Sequence, residues 1–281
     1  MSSISLTASM RSNLLSLQGT ASLMAQTQER LATGKKVNSA IDNPSSYYTA
    51  QSLNNRAGDL SGLLDSMGQA VSTIKAANEG IESITSFVEQ AKAVAQSALD
   101  TTDATAKGKY MAEFNAIRNQ IDAMANDAGY KGINLLKGES LKVKFSDKAG
   151  SELDITGVNA VSGTRTGGET PTITGLGIRE AADWGTDASK IAQAISDTTD
   201  AISTLRTHAS TFGNNYSIVQ TREEFTNNLI NVLEEGADKL TLADMNEESA
   251  NMLALQTRQQ LAINSLSLAS QAAQSVLQLF Q

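Results

Sequence analysis

Cysteine is absent from this chain of 281 residues, and proline is nearly so, with only Pro44 and Pro171. Without cysteine there is no disulfide and no thiolate ligand, a composition that fits export or a life outside the cell without proving either. Without proline, long helices run uninterrupted. Aromatic residues make up 4% of the chain, which excludes one thick core and implies narrow, alanine-rich seams. The net charge of −8 lacks the basic patch that phosphate binding needs, so nucleic acid is excluded as a partner. No run of 18 apolar residues exists, so no membrane insertion is expected. The opening Met1-Ser2-Ser3-Ile4-Ser5-Leu6 has no basic region followed by an apolar stretch, so no conventional signal peptide is expected either.

What is present is helical periodicity. Leu60, Leu63, Met67, Ala70, Ile74, Ala77, Ile81, Ile84, Val88, Ala91, Ala95 and Ala98 alternate three and four residues apart. That spacing keeps one apolar seam against a partner helix. At 1.5 Å per residue the seam is roughly 58 Å long, more than a compact small domain would hold. A second seam runs Met10, Leu14, Leu17, Ala21, Met24, Gln28 and Leu31, with Gln28 its polar exception, and Gly34 suits its C-terminal cap. A shorter third seam is Tyr110, Phe114, Ile117, Ile121, Met124 and Ala128. A fourth begins at Ala188 and includes Ile202, Leu205, Phe212, Val219, Ile230 and Leu233 before ending at Leu240. The last is Met252, Leu255, Gln259, Ala262, Leu266, Ala269, Ala273, Val276 and Phe280. Polar seam residues such as Gln28 and Gln259 fix register at some cost in stability.

Between these helices the texture changes twice. Asn43-Pro44 and Leu242 to Asn246 read as hinges. From Lys131 to about Asp187 the pattern is strand and turn: Leu141 to Phe145 alternates apolar and polar, and Leu153-Asp154-Ile155 suits its hairpin partner. The stretch reads as a small, exposed and irregular β insert. The layout is a near palindrome: short helix, hinge, long helix, insert, long helix, hinge, short helix. The fold class is therefore mainly α, a long antiparallel coiled-coil rod made by the N- and C-terminal halves, with a small β-hairpin insert in the middle. Residues 1–44 and 245–281 supply the terminal helices, 45–138 and 186–244 the rod, and 139–185 the insert. Apolar seams at both extremities leave surface that stacked copies would cover.

Gln28-Glu29-Arg30-Leu31-Ala32-Thr33-Gly34-Lys35-Lys36-Val37-Asn38-Ser39-Ala40-Ile41-Asp42 is similar to the N-terminal signature of bacterial flagellins, and Ala77-Asn78-Glu79-Gly80 to their downstream block. Ala243-Asp244-Met245-Asn246-Glu247-Glu248-Ser249-Ala250 and Gln271 to Phe280 resemble their closing blocks. The resemblance covers roughly residues 1–138 and 186–281, in the correct order. It implies a structural subunit of a helical homopolymer, the extracellular flagellar filament of swimming bacteria, exported by the flagellar type III system. Its implied partners are other copies, an export chaperone, and the hook-associated and cap proteins. The polymerisation seam of the inner tube then comprises Met10, Leu14, Leu17, Met24, Leu255, Leu266, Val276 and Phe280. The rod seam comprises Leu60, Leu63, Met67, Ile74, Ile81, Ile84, Val88, Ile202, Leu205, Val219, Ile230 and Leu233. The resemblance also brings a patch that a vertebrate innate-immune receptor reads. Here the aligned positions are Val88, Glu89, Ala93, Gln96 and Glu113, and Glu89 stands where the family has arginine. That charge reversal implies weak activation or none.

No cofactor, metal or catalytic site is expected. His208 stands alone, with neither cysteine nor a second histidine to complete a metal set, so it reads as a packing residue. Trp184 reads as filler at the insert–helix junction. Asp42, Asn43, Pro44 and Asp244 fit two roles, simple turn capping or a switchable joint. A hook–filament junction protein shares such ends and is the alternative within the same class. A type III-secreted helical translocator or adhesin is the alternative from another class, and it should show a membrane-inserting stretch.

Overall fold

The computed structural model describes residues 8–146, 150–166 and 172–279, and the side chains of these except residues 8, 9, 166, 172, 273 and 276–279. The described helices are α1 (Ala8–Thr33), α2 (Pro44–Asp100), α3 (Ala104–Asp127), α4 (Ala188–Thr241) and α5 (Met245–Leu279). Two antiparallel hairpins, β1 (Leu141–Lys144) with β2 (Glu152–Ile155) and β3 (Thr164–Thr166) with β4 (Thr172–Thr174), lie between α3 and α4. The chain is mainly helical, as its periodicity requires. It divides into two compact units, residues 1–57 with 231–281, and residues 58–230. The divisions fall inside α2 and α4, not at the hinges where the sequence suggested domain boundaries.

In the second unit, the seam from Leu60 to Ala98 is buried at every position except the half-buried Leu63. Met67, Ile74, Ile81, Ile84 and Val88 are essentially inaccessible. They share one core with Phe114 and Ile121 of α3 and with Ile191, Ile202, Leu205, Phe212 and Val219 of α4. The 3-4 frame read in α4 holds from Ile191 to Leu240, where its apolar positions are all buried or half-buried, while Ala188, the first position read, is exposed. Asp103 caps α3, its carboxylate accepting from Thr105 N at 2.9 Å.

The insert corrects one expectation, for it is not simply exposed. β1 and β2 pair Val143 with Leu153, as the alternation implied, and β3–β4 adds a second hairpin, pairing Arg165 with Ile173. The inner faces bury Val143, Phe145, Ile155, Leu176, Ile178 and Trp184 in the same core as the helices. Trp184 is 1% exposed and lies against Phe114, ring centroids 5.1 Å apart. Two-stranded sheets are too small to stand alone, so polar side chains tie the insert to α3 and α4. Asn115 pairs with Ala181 through both its amide groups, donating at 3.0 Å and accepting at 2.9 Å. Arg118 donates to the carbonyls of Ile178 and Gly163. Asp122 accepts from the amide and hydroxyl of Ser162. The fully buried Asp197 of α4 receives Arg179 at 2.8 and 3.0 Å and Arg165 at 3.2 Å.

Gly80 is the α2 glycine with a packing reason. A Cβ there would stand 2.7 Å from Leu136 Cδ1 and 2.8 Å from Ala128 Cβ, whereas one at Gly58 would meet nothing within 4 Å. Gly80→Val is therefore expected to lower stability by about 1–3 kcal/mol through overpacking. Gly58→Ala should raise it by up to about 1 kcal/mol through helix propensity. Urea denaturation followed by circular dichroism checks both, and equal effects of the same sign would contradict the packing assignment.

Candidate assembly surfaces and hinge

The first unit holds the terminal helices. α1 and α5 pack side by side and run antiparallel, the end of α1 lying at the start of α5. The seam of α5 is as read: Met252, Leu255, Gln259, Ala262, Leu266 and Ala269 are half-buried. The seam of α1 is half right. Met10, Leu17, Met24 and Leu31 face inward, but the alternate row is Asn13, Thr20 and Thr27, not Leu14, Ala21 and Gln28. Leu14 is 43% exposed, and Gln28 is exposed and therefore sets no register in this pair. Thr20 satisfies its hydroxyl on the Ser16 carbonyl at 2.9 Å, which lets it enter a dry seam. The side chains of Val276 and Phe280 lie outside those described.

The outer faces of the pair carry large apolar residues. Leu15 and Leu23 project from α1, and Leu253, Leu261, Ile263 and Leu268 from α5. At 100° per residue, the row of Leu253, Leu261 and Leu268 falls on roughly the opposite side of α5 from its seam. One partner helix cannot cover both.

Between these helices and the long ones the two hinges are stitched to each other. Lys36 N and Val37 N donate to the Thr241 carbonyl at 2.7 and 3.2 Å, and Ala243 N returns a bond to the Gly34 carbonyl at 2.9 Å. Lys35 and Leu242 form an antiparallel bridge there. Gly34 takes a φ of 71°, the left-handed conformation its place at the end of α1 requires. Lys36 Nζ adds a bond to the Lys239 carbonyl at 2.8 Å. Beside this clasp Arg30 Nη1 meets Glu248 Oε1 at 2.9 Å, and the Glu248 side chain is 9% exposed. Arg30 stands in the last turn of α1 and Glu248 in the first turn of α5, so each charge also complements its own helix dipole.

Of the four hinge residues, three cap turns or helices. Asp42 Oδ2 accepts from Ser39 N at 2.9 Å and Asn38 N at 3.0 Å, and these bonds hold its carboxyl below the ordinary carboxylate value. Asn43 accepts from Ser46 N at 3.1 Å at the start of α2, where Pro44 is the first helical residue. Asp244 accepts from Asn246 N and Glu247 N at the start of α5.

The rod-seam residues Leu60, Leu63, Met67, Ile74, Ile81, Ile84, Val88, Ile202, Leu205 and Val219 lie in the second unit. Ile230, half-buried, is its last residue, and Leu233, 8% exposed, lies in the first unit. Of the receptor-motif positions, Glu89, Ala93, Gln96 and Glu113 are exposed. Val88 is buried in the seam, which corrects its assignment to that surface. His208 is half-buried, and burial pushes its imidazole below the ordinary value. Among the described residues no group of three His, Asp or Glu could hold a metal ion, and no helix is long and apolar enough to cross a membrane.

Two family models match the chain: the bacterial flagellin N-terminal helical region over residues 4–140, and the bacterial flagellin C-terminal helical region over residues 195–280. The chain belongs to the bacterial flagellin family. It is 31% identical to flagellin FljM of Caulobacter vibrioides over 271 residues, covering 95% of this chain and 94% of that protein. It is 30% identical to flagellin FljO of the same organism, with the same coverage. It is 29% identical to a flagellin of Brucella melitensis over the full length of both. As a flagellin, it is a structural subunit of the flagellar filament, and self-polymerisation follows from that membership. Residues 141–194, which neither model matches, carry both hairpins of the insert.

Two outcomes test the hinge of this flagellin. Arg30→Ala strands a nearly buried carboxylate and should cost about 1–3 kcal/mol. Hydrogen exchange at the Lys36 and Ala243 amides should quicken, and unchanged protection would mean the ion pair does not support the clasp. The folded-state pKa of Asp42 is depressed, so its contribution is full above the ordinary carboxylate value and fades as pH falls through the folded value. Exchange at the Asn38 and Ser39 amides should therefore gain protection from Asp42 in neutral buffer and lose it in acid. Asp42→Asn should remove that pH dependence.

Proposed function

We propose that this chain leaves the cell through the flagellar type III system and polymerises, through its terminal helices, into the filament used for swimming. The observation carrying this reading is the double-faced terminal pair, whose outward leucines gain nothing within their own unit. Burying one such side chain is worth roughly 1.5–3 kcal/mol, a strong incentive for copies to pack. Met10, Leu14, Leu17, Met24, Leu255, Leu266, Val276 and Phe280 are the proposed inner-tube residues. Of these, Leu14 serves contacts between copies, since it lies off the intrachain seam. The remaining division of labour is the rod from 45–138 and 186–244 and a variable insert at 139–185. An export chaperone holds the C-terminal segment before assembly, and hook-associated and cap proteins bound the polymer at its ends. Asp42, Asn43, Pro44 and Asp244 cap a joint whose mobility the clasp governs.

Electron microscopy after ammonium-sulfate seeding tests the central claim, with long helical filaments expected. Removal of residues 1–30 or 255–281 should abolish polymerisation while leaving the helical core of residues 58–230 folded. Native filaments from either truncation would sink the assignment of the termini.

Weak activation of the innate-immune flagellin receptor belongs to the same reading. Glu89 is exposed and opposite in charge to the arginine of the family motif, and desolvating a like charge against a receptor made for a cation is costly. Purified monomer is expected to give little signal in receptor-reporter cells, and Glu89→Arg to raise it. A full response from the unaltered chain would contradict the proposal.

A further inference from the structure

Two features of the chain are complementary. The first is Ile41. At 93% exposure it is the most exposed large apolar side chain among the described residues. It is also held still. Asp42 Oδ2 binds the amides of Asn38 and Ser39 and the Ser39 hydroxyl, Asp42 N donates to the Ser39 carbonyl, and Ile41 N donates to Ser39 Oγ. A pre-organised turn surrenders little further entropy on docking, which is the property of a good anchor residue.

The second feature is a concavity of about 190 Å³ between α2 and α4 of the second unit. Tyr216, Lys75, Asn78 and Glu79 form its rim, and Ile74 and Phe212, 1% and 0% exposed, form its floor. Gly213 leaves it open, since a Cβ placed there would meet nothing within 4 Å. The ammonium of Lys75 rests 5.6 Å from the centre of the Tyr216 ring. It takes no carboxylate partner among the described residues. Asp42, next to the Ile41 knob, has engaged Oδ2 alone, and its other oxygen takes no bond among the described residues.

We propose that Ile41 of one copy seats in the Ile74–Phe212–Tyr216 concavity of a second copy, with Asp42 facing Lys75. The proposal rests on the reading that the chain self-assembles, and it names one contact by which it does so. The knob and the hole are different surfaces, so the contact is heterologous and propagates into an open polymer instead of closing a dimer. Apolar shape gives the anchor, and the carboxylate–ammonium pair at the rim selects orientation.

The absence of cysteine makes the test specific. Ile41→Cys chains and Gly213→Cys chains are each made, both substitutions lying at open positions, and are co-polymerised with excess unaltered chain and mildly oxidised. A covalent dimer should form in filaments that contain both variants. It should be missing from filaments with either variant alone and from the unpolymerised mixture. Filaments that incorporate both variants without the dimer overturn the proposal. Gly213→Leu fills the hole and Lys75→Glu reverses its rim. Each is expected to raise the critical concentration for polymerisation by tenfold or more with helix content unchanged, and an unaltered critical concentration in both also overturns it. Failure of the unaltered chain to polymerise at all would instead overturn the reading of assembly on which it rests.

Discussion

A helix with a 3-4 apolar row buries one stripe, and whatever lies on its other faces needs another partner or water. That constraint governs both units of this chain. In the second unit α2 and α4 bury their rows, with Ile74, Ile84, Leu205 and Phe212 essentially inaccessible. The insert then supplies a further wall with aromatic contacts of its own: Phe114 against Trp184, and Arg222 over the Phe145 ring at 5.4 Å. The first unit has no insert. Its terminal helices cover one face of each other and leave Leu15, Leu253, Leu261 and Leu268 outside. A monomeric fold would be expected to replace such leucines with charged residues. Such a surface is the kind that further copies of the chain would cover.

Polar side chains do a different task from the seams. Seams fix which faces meet, but a row of alanine and leucine discriminates poorly between neighbouring registers. In the insert, directional bonds to backbone groups remove the ambiguity. Asn134 donates to the carbonyls of Ala125 and Asn126 at the end of α3 and accepts from Leu136 N, so a loop enters the core with its backbone groups satisfied. Asp197 does the same for charge, its buried carboxylate receiving two partly exposed arginines from the insert.

The same division explains what the sequence disclosed. Rows of Ile, Leu, Met and Ala at strict spacing left little choice in α2 and α4, and the frame read there survives in the fold. The β1–β2 hairpin was legible from alternation at Leu141 to Phe145. In α1 the hydrophobic pattern favoured the wrong half-row, because Leu14 is more apolar than Asn13 and Gln28 stands near a buried Thr27. Periodicity reports every face that will become dry, without saying whether the cover comes from the same chain. Thr20 and Thr27, seven residues apart and able to turn their hydroxyls back on the helix, were the available sign of the true row. The polar anchors Asn115, Asp122 and Asp197 carried no periodic signal, since each acts through contacts distant in sequence, and Asn134 lies in a loop, where no period applies. The clasp was hidden for a related reason. It is made by backbone amides and carbonyls, which every residue possesses.

That clasp also narrows the meaning of the hinge. Asp42, Asn43 and Asp244 spend their side chains on capping. Beside them Gly34 to Val37 and Thr241 to Ala243 are bonded to each other through their backbones, with Arg30–Glu248 alongside. A connection built from a few backbone bonds and one ion pair is strict about register but contains little buried apolar area. The seams on either side of it depend on separate contacts. The capping residues and the clasp are thus two parts of one arrangement: turns fixed by side chains, and a short polar link made by backbone groups with one ion pair beside it.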